Sequence, residues 1–134
     1  MDKAELIRKK ANMQAWAAET RQNAVLLEEK IERLQRAKRR MEAVIEGAWQ
    51  QERKAAHIDF HPPFWKGETK NKYMAHFHEM ESSVRQYVHR LRNTEDRLEE
   101  EIRRLSNQLD EAQSNLLYLQ SHISNLSQEI TEGD

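Results

Sequence analysis

Cysteine is absent from this sequence of 134 residues, and only three glycines and two prolines occur. Without cysteine the chain has no disulfide bonds, no thiol catalysis and no cysteine-ligated zinc. Few glycines and prolines leave little that would interrupt a helix. The N-terminus, Met1 to Lys10, lacks the apolar run that a signal peptide or a membrane span needs. We therefore expect a chain made in the cytoplasm and rich in long helices.

The composition favours helices that bury a narrow stripe. Hydrophobic residues make up 37% of the chain and charged residues 34%, with a formal net charge of -1. A seam of two residues in seven needs far less apolar material than a closed globular core. The balanced charge gives no general attraction to nucleic acid or to anionic lipid. We predict neither nucleic-acid binding nor direct membrane insertion.

Apolar residues recur at steps of three and four through the second half of the chain. One gap falls at Thr94, and two successive steps of four around Leu98 predict a stutter, which locally relaxes a coiled coil. The predicted seam comprises Phe77, Met80, Val84, Tyr87, Leu91, Leu98, Ile102, Leu105, Leu109, Ala112, Leu116, Leu119, Ile123, Leu126 and Ile130.

The first half shows the same period in two rows. One row repeats every seven residues, and a second row, rich in alanine, lies four residues further on. The rows comprise Leu6, Met13, Thr20, Leu27, Leu34, Met41 and Ala48, and Ala17, Ala24, Ile31 and Ile45.

The pair Pro62-Pro63 forces a break between these halves, because a proline ring removes a donor and clashes with the preceding turn. We predict a helix over about 3–55, a linker over about 56–68 and a helix over about 69–131, with Thr69 as the cap of the second helix. A short linker favours antiparallel packing. The predicted fold is a single all-α domain over 1–134: a long antiparallel two-helix hairpin, coiled-coil-like, that pairs into a four-helix assembly.

The linker ends in Phe64-Trp65-Lys66-Gly67, and Tyr73 lies eight positions beyond Trp65. A W-x-G between two long helices resembles the WXG-motif hairpins of type VII (Esx) secretion systems. The layout is most similar to the YwqH-like accessory proteins associated with LXG toxins. That resemblance implies that Trp65 packs at the junction of the helices and that Gly67 lets the backbone turn tightly.

The same resemblance carries an expectation about export. Secreted WXG proteins usually have Y-x-x-x-D/E after the second helix, whereas here His122 follows Tyr118 by four positions. This difference implies a non-enzymatic adaptor or chaperone that binds and presents an LXG-type toxin or another small helical protein. Such a protein is expected in the cytoplasm, or exported through the type VII pathway only with a partner. The alternative is a structural coiled-coil or scaffold protein with a fortuitous W-x-G.

Histidines give the sole hint of chemistry. His57, Asp59 and His61 cluster in the linker, and His76 and His78 follow it. His76 and His78 point in different directions on a helix, so we predict no metal site and no cofactor. The sequence has no glycine-rich phosphate loop, nucleophile elbow or HExxH, and no enzyme activity or catalytic residue is predicted.

Large apolar residues that fall off the seam predict the partner-binding surface. These are Trp16, Trp49, Leu26 and Leu117, and we expect them to be exposed on the helices. Charge is also uneven along the chain: basic residues cluster at Arg36 to Arg40, while 105–134 has acids and neither Lys nor Arg. Such a basic cluster is typical of a solvated face or of docking to an acidic partner.

Overall fold

The computed structural model describes residues 2–57 and 67–133. Two helices account for nearly all of them, α1 over Lys3–Ala56 and α2 over Gly67–Glu132, and the described residues contain no strand. The two helices pack against each other as a hairpin, which confirms the all-α prediction. The helix α2 begins two residues earlier than predicted, so Thr69 lies inside its first turn. The four-helix assembly stays a prediction.

The beginning of α1 is fixed by an aspartate. One carboxylate oxygen of Asp2, Oδ1, accepts hydrogen bonds from the backbone N–H groups of Ala4 at 2.6 Å and Glu5 at 3.4 Å. The Asp2 carbonyl accepts from the N–H of Leu6 at 3.1 Å. A short acidic side chain at this place satisfies amide donors that have no partner within the helix and complements the helix dipole.

Contacts divide the chain into two compact units. Unit 1 comprises Met1–Leu34 and Glu101–Asp134, and unit 2 comprises Gln35–Glu100. In each unit a segment of α1 packs on a segment of α2 that runs in the opposite direction. In unit 2, for example, Lys38 reaches Glu99 while Glu52, further along α1, reaches the earlier residue Arg85.

The seam of unit 1 is almost wholly apolar. Its inward residues alternate at steps of three and four on both helices, as predicted, and only Lys10 and Thr20 are polar. Thr20 is 9% exposed, and its hydroxyl donates to the carbonyl of Trp16 at 2.9 Å. The hydrophobic residues buried in this unit are Leu6, Ala17, Ala24, Ile31, Leu105, Leu119 and Leu126.

The seam of unit 2 differs from the prediction. Met80 and Tyr87 are exposed, at 48% and 51%, while Glu81 is half-buried and Val88 is 2% exposed. The predicted gap at Thr94 is also wrong, because half-buried Glu95 takes the inward position. The inward row of α2 in this unit is Phe77, Glu81, Val84, Val88, Leu91, Glu95 and Leu98.

These steps alternate between four and three without a stutter. The direction of an inward side chain is set by helix geometry, so a charged residue that falls on the inward row stays there. Reading apolar residues alone shifted the predicted seam by one position at Met80 and Tyr87. The helix α1 of unit 2 also has charged inward residues, Lys38 and Glu52.

Candidate partner-binding surface

The predicted bend motif lies partly outside the described residues, which do not include Trp65. Gly67 is the first residue of α2 and has a φ of +69°. That left-handed conformation is strained for residues with a Cβ, so glycine fits this position for a physical reason. Tyr73 lies on α2 two turns later and is 55% exposed. The part that these residues play in a shared W-x-G motif stays a prediction.

Two of the four predicted partner-binding residues lie together. Trp16, 55% exposed, and Leu26, 48% exposed, both line an open groove of about 470 Å³ in unit 1. The opposite wall of the groove is mostly polar, with Gln108 and Asn115 of α2. Leu117 is 68% exposed but does not line this groove. The apolar residues of unit 1 that sequence reasoning selected therefore do not form one continuous surface.

The fourth predicted residue, Trp49, belongs to unit 2 and is half-buried rather than exposed. The guanidinium carbon of Arg92 lies 5.6 Å from the centroid of its ring, within the range of a cation–π contact. Trp49 also lines a groove with acidic residues on both helices, among them Glu42 and Asp96. The indole is thus engaged within the chain, on a side of unit 2 that is rich in charge.

Ion pairs join the two helices inside unit 2. The ammonium nitrogen of Lys38 lies 2.9 Å from Glu99 and 3.9 Å from Glu42. The hydrogen bond that Lys38 donates to Glu99, helped by the carboxylate charges nearby, raises the pKa of Lys38 above its usual value. Lys38 therefore remains charged at an inward position.

Arg85 connects two inward acids of the same unit. Its Nε donates to Glu52 Oε1 at 3.3 Å, and its Nη2 lies 2.7 Å from Glu81 Oε1. The other carboxylate oxygen of Glu52, Oε2, is buried and has no hydrogen-bond partner among the described residues. A buried carboxylate with one paired oxygen is a costly group to keep in a seam.

In unit 1 a comparable pair lies within one helix. Arg104 Nε donates to Glu101 Oε2 at 3.0 Å, and Arg104 Nη2 also contacts the other oxygen. The hydrogen bond from Arg104 lowers the pKa of Glu101, and the same bond raises the pKa of Arg104. This pair lies on a flank of unit 1, because Ile102 and Leu105 occupy the neighbouring inward positions.

An apolar cleft of about 330 Å³ opens in unit 2, on the side away from Trp49 and Arg92. Phe77, Met80 and Val84 of α2 form one wall, and Ala55 and Lys54 belong to the wall of α1. The inward acids Glu52 and Glu81 complete the lining. Concave apolar surface with a few polar groups is the usual character of a binding site.

A row of exposed apolar side chains passes this cleft. Tyr73, Met80 and Tyr87 lie seven residues apart on α2 and are 55%, 48% and 51% exposed. Val44 of α1 is 46% exposed. Sequence reasoning missed this surface because it assigned Met80 and Tyr87 to the seam. The signal was present: a second seven-residue row lies one position before the row of Glu81 and Val88.

The histidines do not assemble a metal site among the described residues, where no three His, Asp or Glu side chains are arranged to hold a metal ion. His76 lies 3.8 Å from Glu79, and His78 contacts the ring of Phe77. Asp59 and His61 lie outside the described residues. His122 packs on Tyr118, with ring centroids 4.3 Å apart. Neither described helix contains a stretch long and apolar enough to cross a membrane.

The YwqH-like family matches the chain over residues 8–128. The match covers most of both helices, and the chain belongs to the YwqH-like family. The sequence has no significant match among curated proteins or among solved structures.

Proposed function

We propose that this protein is a non-enzymatic adaptor or chaperone of a type VII secretion system that binds and presents an LXG-type toxin or another small helical protein. Membership of the YwqH-like family supports the proposal, since the chain resembles accessory proteins associated with LXG toxins. Such a protein works in the cytoplasm or leaves it with its partner.

One structural observation carries the proposal. Unit 2 holds charged side chains at inward positions while Tyr73, Met80 and Tyr87 are about half exposed. Contiguous apolar residues on a surface mark sites of protein–protein interaction. A helical partner would cover them and extend the two helices towards a four-helix assembly, as a homodimer or heterodimer.

The remaining predicted residues enter this proposal by position. Trp16 and Leu26 offer a second contact surface in the groove of unit 1. Leu117 is exposed outside this groove, next to the exposed Tyr118 in the sequence. Trp49 is half-buried, so a partner could contact only part of its ring. Trp65, Gly67 and Tyr73 stay the predicted bend residues, and Trp65 lies outside the described residues.

Co-expression tests the function directly. The proteins encoded by the neighbouring genes are examined for an LXG-type toxin or a small helical protein, that protein is expressed with the chain, and capture is measured through an affinity tag on either partner. We expect a stoichiometric complex with the native chain and weaker capture with Trp65→Ala. A native chain that captures neither neighbour contradicts the adaptor function.

A structural scaffold is the second candidate, and the unbroken three-four period of the inward residues favours it. A scaffold would assemble with copies of itself. Light scattering of the purified chain separates the two: large homo-oligomers together with failed capture support the scaffold.

A further inference from the structure

We propose that the exposed row Tyr73, Met80 and Tyr87, with Val44 and the adjoining cleft of unit 2, is a groove for an acidic amphipathic helix of a partner protein. This surface is called the apolar groove below. The inference rests on the proposed function, because it names the site and the chemistry of the helical partner.

The register of the two helices makes these residues one surface. Gln51 of α1 and Met80 of α2 line the same cleft. In antiparallel helices, seven residues back along α1 correspond to seven residues onward along α2. The cross-helix pairs Lys38–Glu99 and Glu52–Arg85 place Tyr87 level with about Gln50, and Val44 lies between one and two turns beyond that level along α1. The exposed apolar residues therefore continue from the cleft along both helices.

The rim of the apolar groove is basic. Arg40 lies one turn before Val44, Lys54 lines the cleft, and Arg90 lies one turn after Tyr87, and all three are exposed. Residues three or four apart on a helix are neighbours on its surface. No acidic residue lies three or four positions from Val44, Tyr73, Met80 or Tyr87 in the described part of unit 2.

Two acids, Glu52 and Glu81, do line the cleft, and Arg85 contacts both of them. Glu95 is inward, and Glu42 and Asp96 belong to the groove that contains Trp49. The two sides of unit 2 therefore differ in charge. The side with Trp49 has charges of both signs on its surface. The other side has exposed apolar side chains with cations around them, and its two acids, Glu52 and Glu81, are inward and contacted by Arg85.

This charge pattern indicates which kind of helix would bind in the apolar groove. A second copy that used the same surface would bring one basic rim, with Arg40, Lys54 and Arg90, close to another basic rim, and like charges oppose such a contact. A helix with an apolar stripe and Asp or Glu on its flanks complements both the stripe and the rim. Laying an apolar helix face into a hydrophobic groove is a common mode of peptide recognition.

A pair of synthetic peptides tests the groove. One is a fluorescein-labelled helix of three heptads with a leucine stripe and glutamate flanks; its twin has lysine for every glutamate. Fluorescence anisotropy is followed while the full chain is added. We expect the acidic peptide to bind at least about tenfold more tightly than the basic twin. Equal affinity for the two peptides overturns the proposal.

A matched pair of variants locates the site. Met80→Glu with Tyr87→Glu places two acids in the apolar groove, and Ile7→Glu with Val25→Glu places two acids at residues of unit 1 that are similarly exposed, at 50% and 51%. We expect the first variant to bind the acidic peptide about tenfold more weakly or worse, and the second to bind it like the native chain. Circular dichroism checks that both variants keep the native helix content. Equal losses in the two variants overturn the proposal.

Self-association is a further outcome. If light scattering shows a dimer that Met80→Glu with Tyr87→Glu dissolves and Ile7→Glu with Val25→Glu preserves, the occupant is a second copy and the proposal is wrong.

Capture of the co-expressed LXG-type partner separates this proposal from the proposed function. Capture lost only in the apolar-groove variant supports both. Capture retained by both variants leaves the function standing and overturns the groove. Selective binding of the acidic peptide without any capture supports the groove and contradicts the function.

Discussion

Unit 1 and unit 2 have the same inward spacing but fill it with different chemistry. In unit 1 the inward residues are apolar apart from Lys10 and Thr20. In unit 2, by contrast, Lys38, Glu52, Glu81 and Glu95 all take inward positions. Among the described residues two are buried in unit 2, Ile45 and Val88, and eight in unit 1, namely Leu6, Ala17, Thr20, Ala24, Ile31, Leu105, Leu119 and Leu126.

The two units differ in how much apolar side-chain surface they remove from water. Unit 1 buries its apolar side chains and gains the free energy of removing them from water. Unit 2 keeps acids between its helices and leaves Met80 and Tyr87 on its surface. A regular heptad spacing therefore shows that two helices pair, but the residues on it decide how strongly they do so.

The largest expected effect comes from emptying the two seams. Leu119→Ala removes a side chain that is 1% exposed in unit 1, and we expect it to lower the free energy of unfolding by about 2–5 kcal/mol. Val88→Ala in unit 2, where Val88 is 2% exposed, should cost about 1–3 kcal/mol. Urea denaturation measures both. A larger loss of stability in Val88→Ala than in Leu119→Ala would contradict the expectation that the seam of unit 1 contributes more to stability.

Replacing each of the two glycines in the helices of unit 2 by alanine should change the stability of the protein in opposite directions. Gly67→Ala puts a Cβ at a φ of +69° and should destabilise by about 1–2 kcal/mol, although its surroundings are open. Gly47→Ala, inside α1 with nothing within 4 Å of the added Cβ, should stabilise by about 0.5–1 kcal/mol. Thermal unfolding of the two variants gives the signs. A stabilising Gly67→Ala would remove the conformational reason for glycine there.

Replacing an inward acid of unit 2 by an apolar residue should stabilise the protein, in contrast to the seam variants above. Glu95→Leu gives unit 2 an apolar residue where unit 1 has one, and we expect stabilisation of about 1 kcal/mol. Asp96→Leu is the matched control, because it removes an acid from an exposed neighbouring position and adds no inward side chain. The denaturation midpoints of the two variants measure the change in stability. Equal stabilisation by both variants would mean that net charge, rather than the seam, is responsible.

The smallest effect concerns the pKa of Lys38. Glu99→Gln removes the acceptor 2.9 Å away, so the pKa should fall towards its usual value of 10.5, and Glu42→Gln, whose carboxylate lies 3.9 Å away, should lower it less. Because folding raises this pKa, the ion pair stabilises the protein at neutral pH, and that contribution disappears as pH rises through the raised pKa. An NMR titration of the Lys38 side chain in each variant measures the two pKa changes. A larger pKa change in Glu42→Gln than in Glu99→Gln would contradict the expected order.

Most of the fold follows from the spacing of apolar residues. The two helices, one ending at Ala56 and the other beginning at Gly67, were predictable, since a proline pair and a long heptad pattern act locally. The seam of unit 2 was not predictable in this way, because Glu81 and Glu95 take inward positions but are not hydrophobic. Only the packing of α1 against α2 shows that Val88 lies inside and Tyr87 outside.

The exposure of the residues predicted to bind a partner was harder still to predict. Trp16, Leu26 and Leu117 are exposed as expected, but the exposure of a single side chain depends on its neighbours in space. Trp49 shows this plainly, since Arg92, 43 positions along the chain, covers part of its ring. The cation–π contact joins two helices and has no local pattern in sequence.

Hydrogen exchange, read by mass spectrometry on the full chain alone and with the acidic peptide, tests the central claim most directly. Amides exchange more slowly where a cooperative unit is more stable. We expect slower exchange in 2–34 and 101–133 than in 35–57 and 67–100, and peptide-induced protection confined to fragments with Val44, Met80 and Tyr87. Equal exchange in the two units, or protection gained in unit 1, would contradict this expectation.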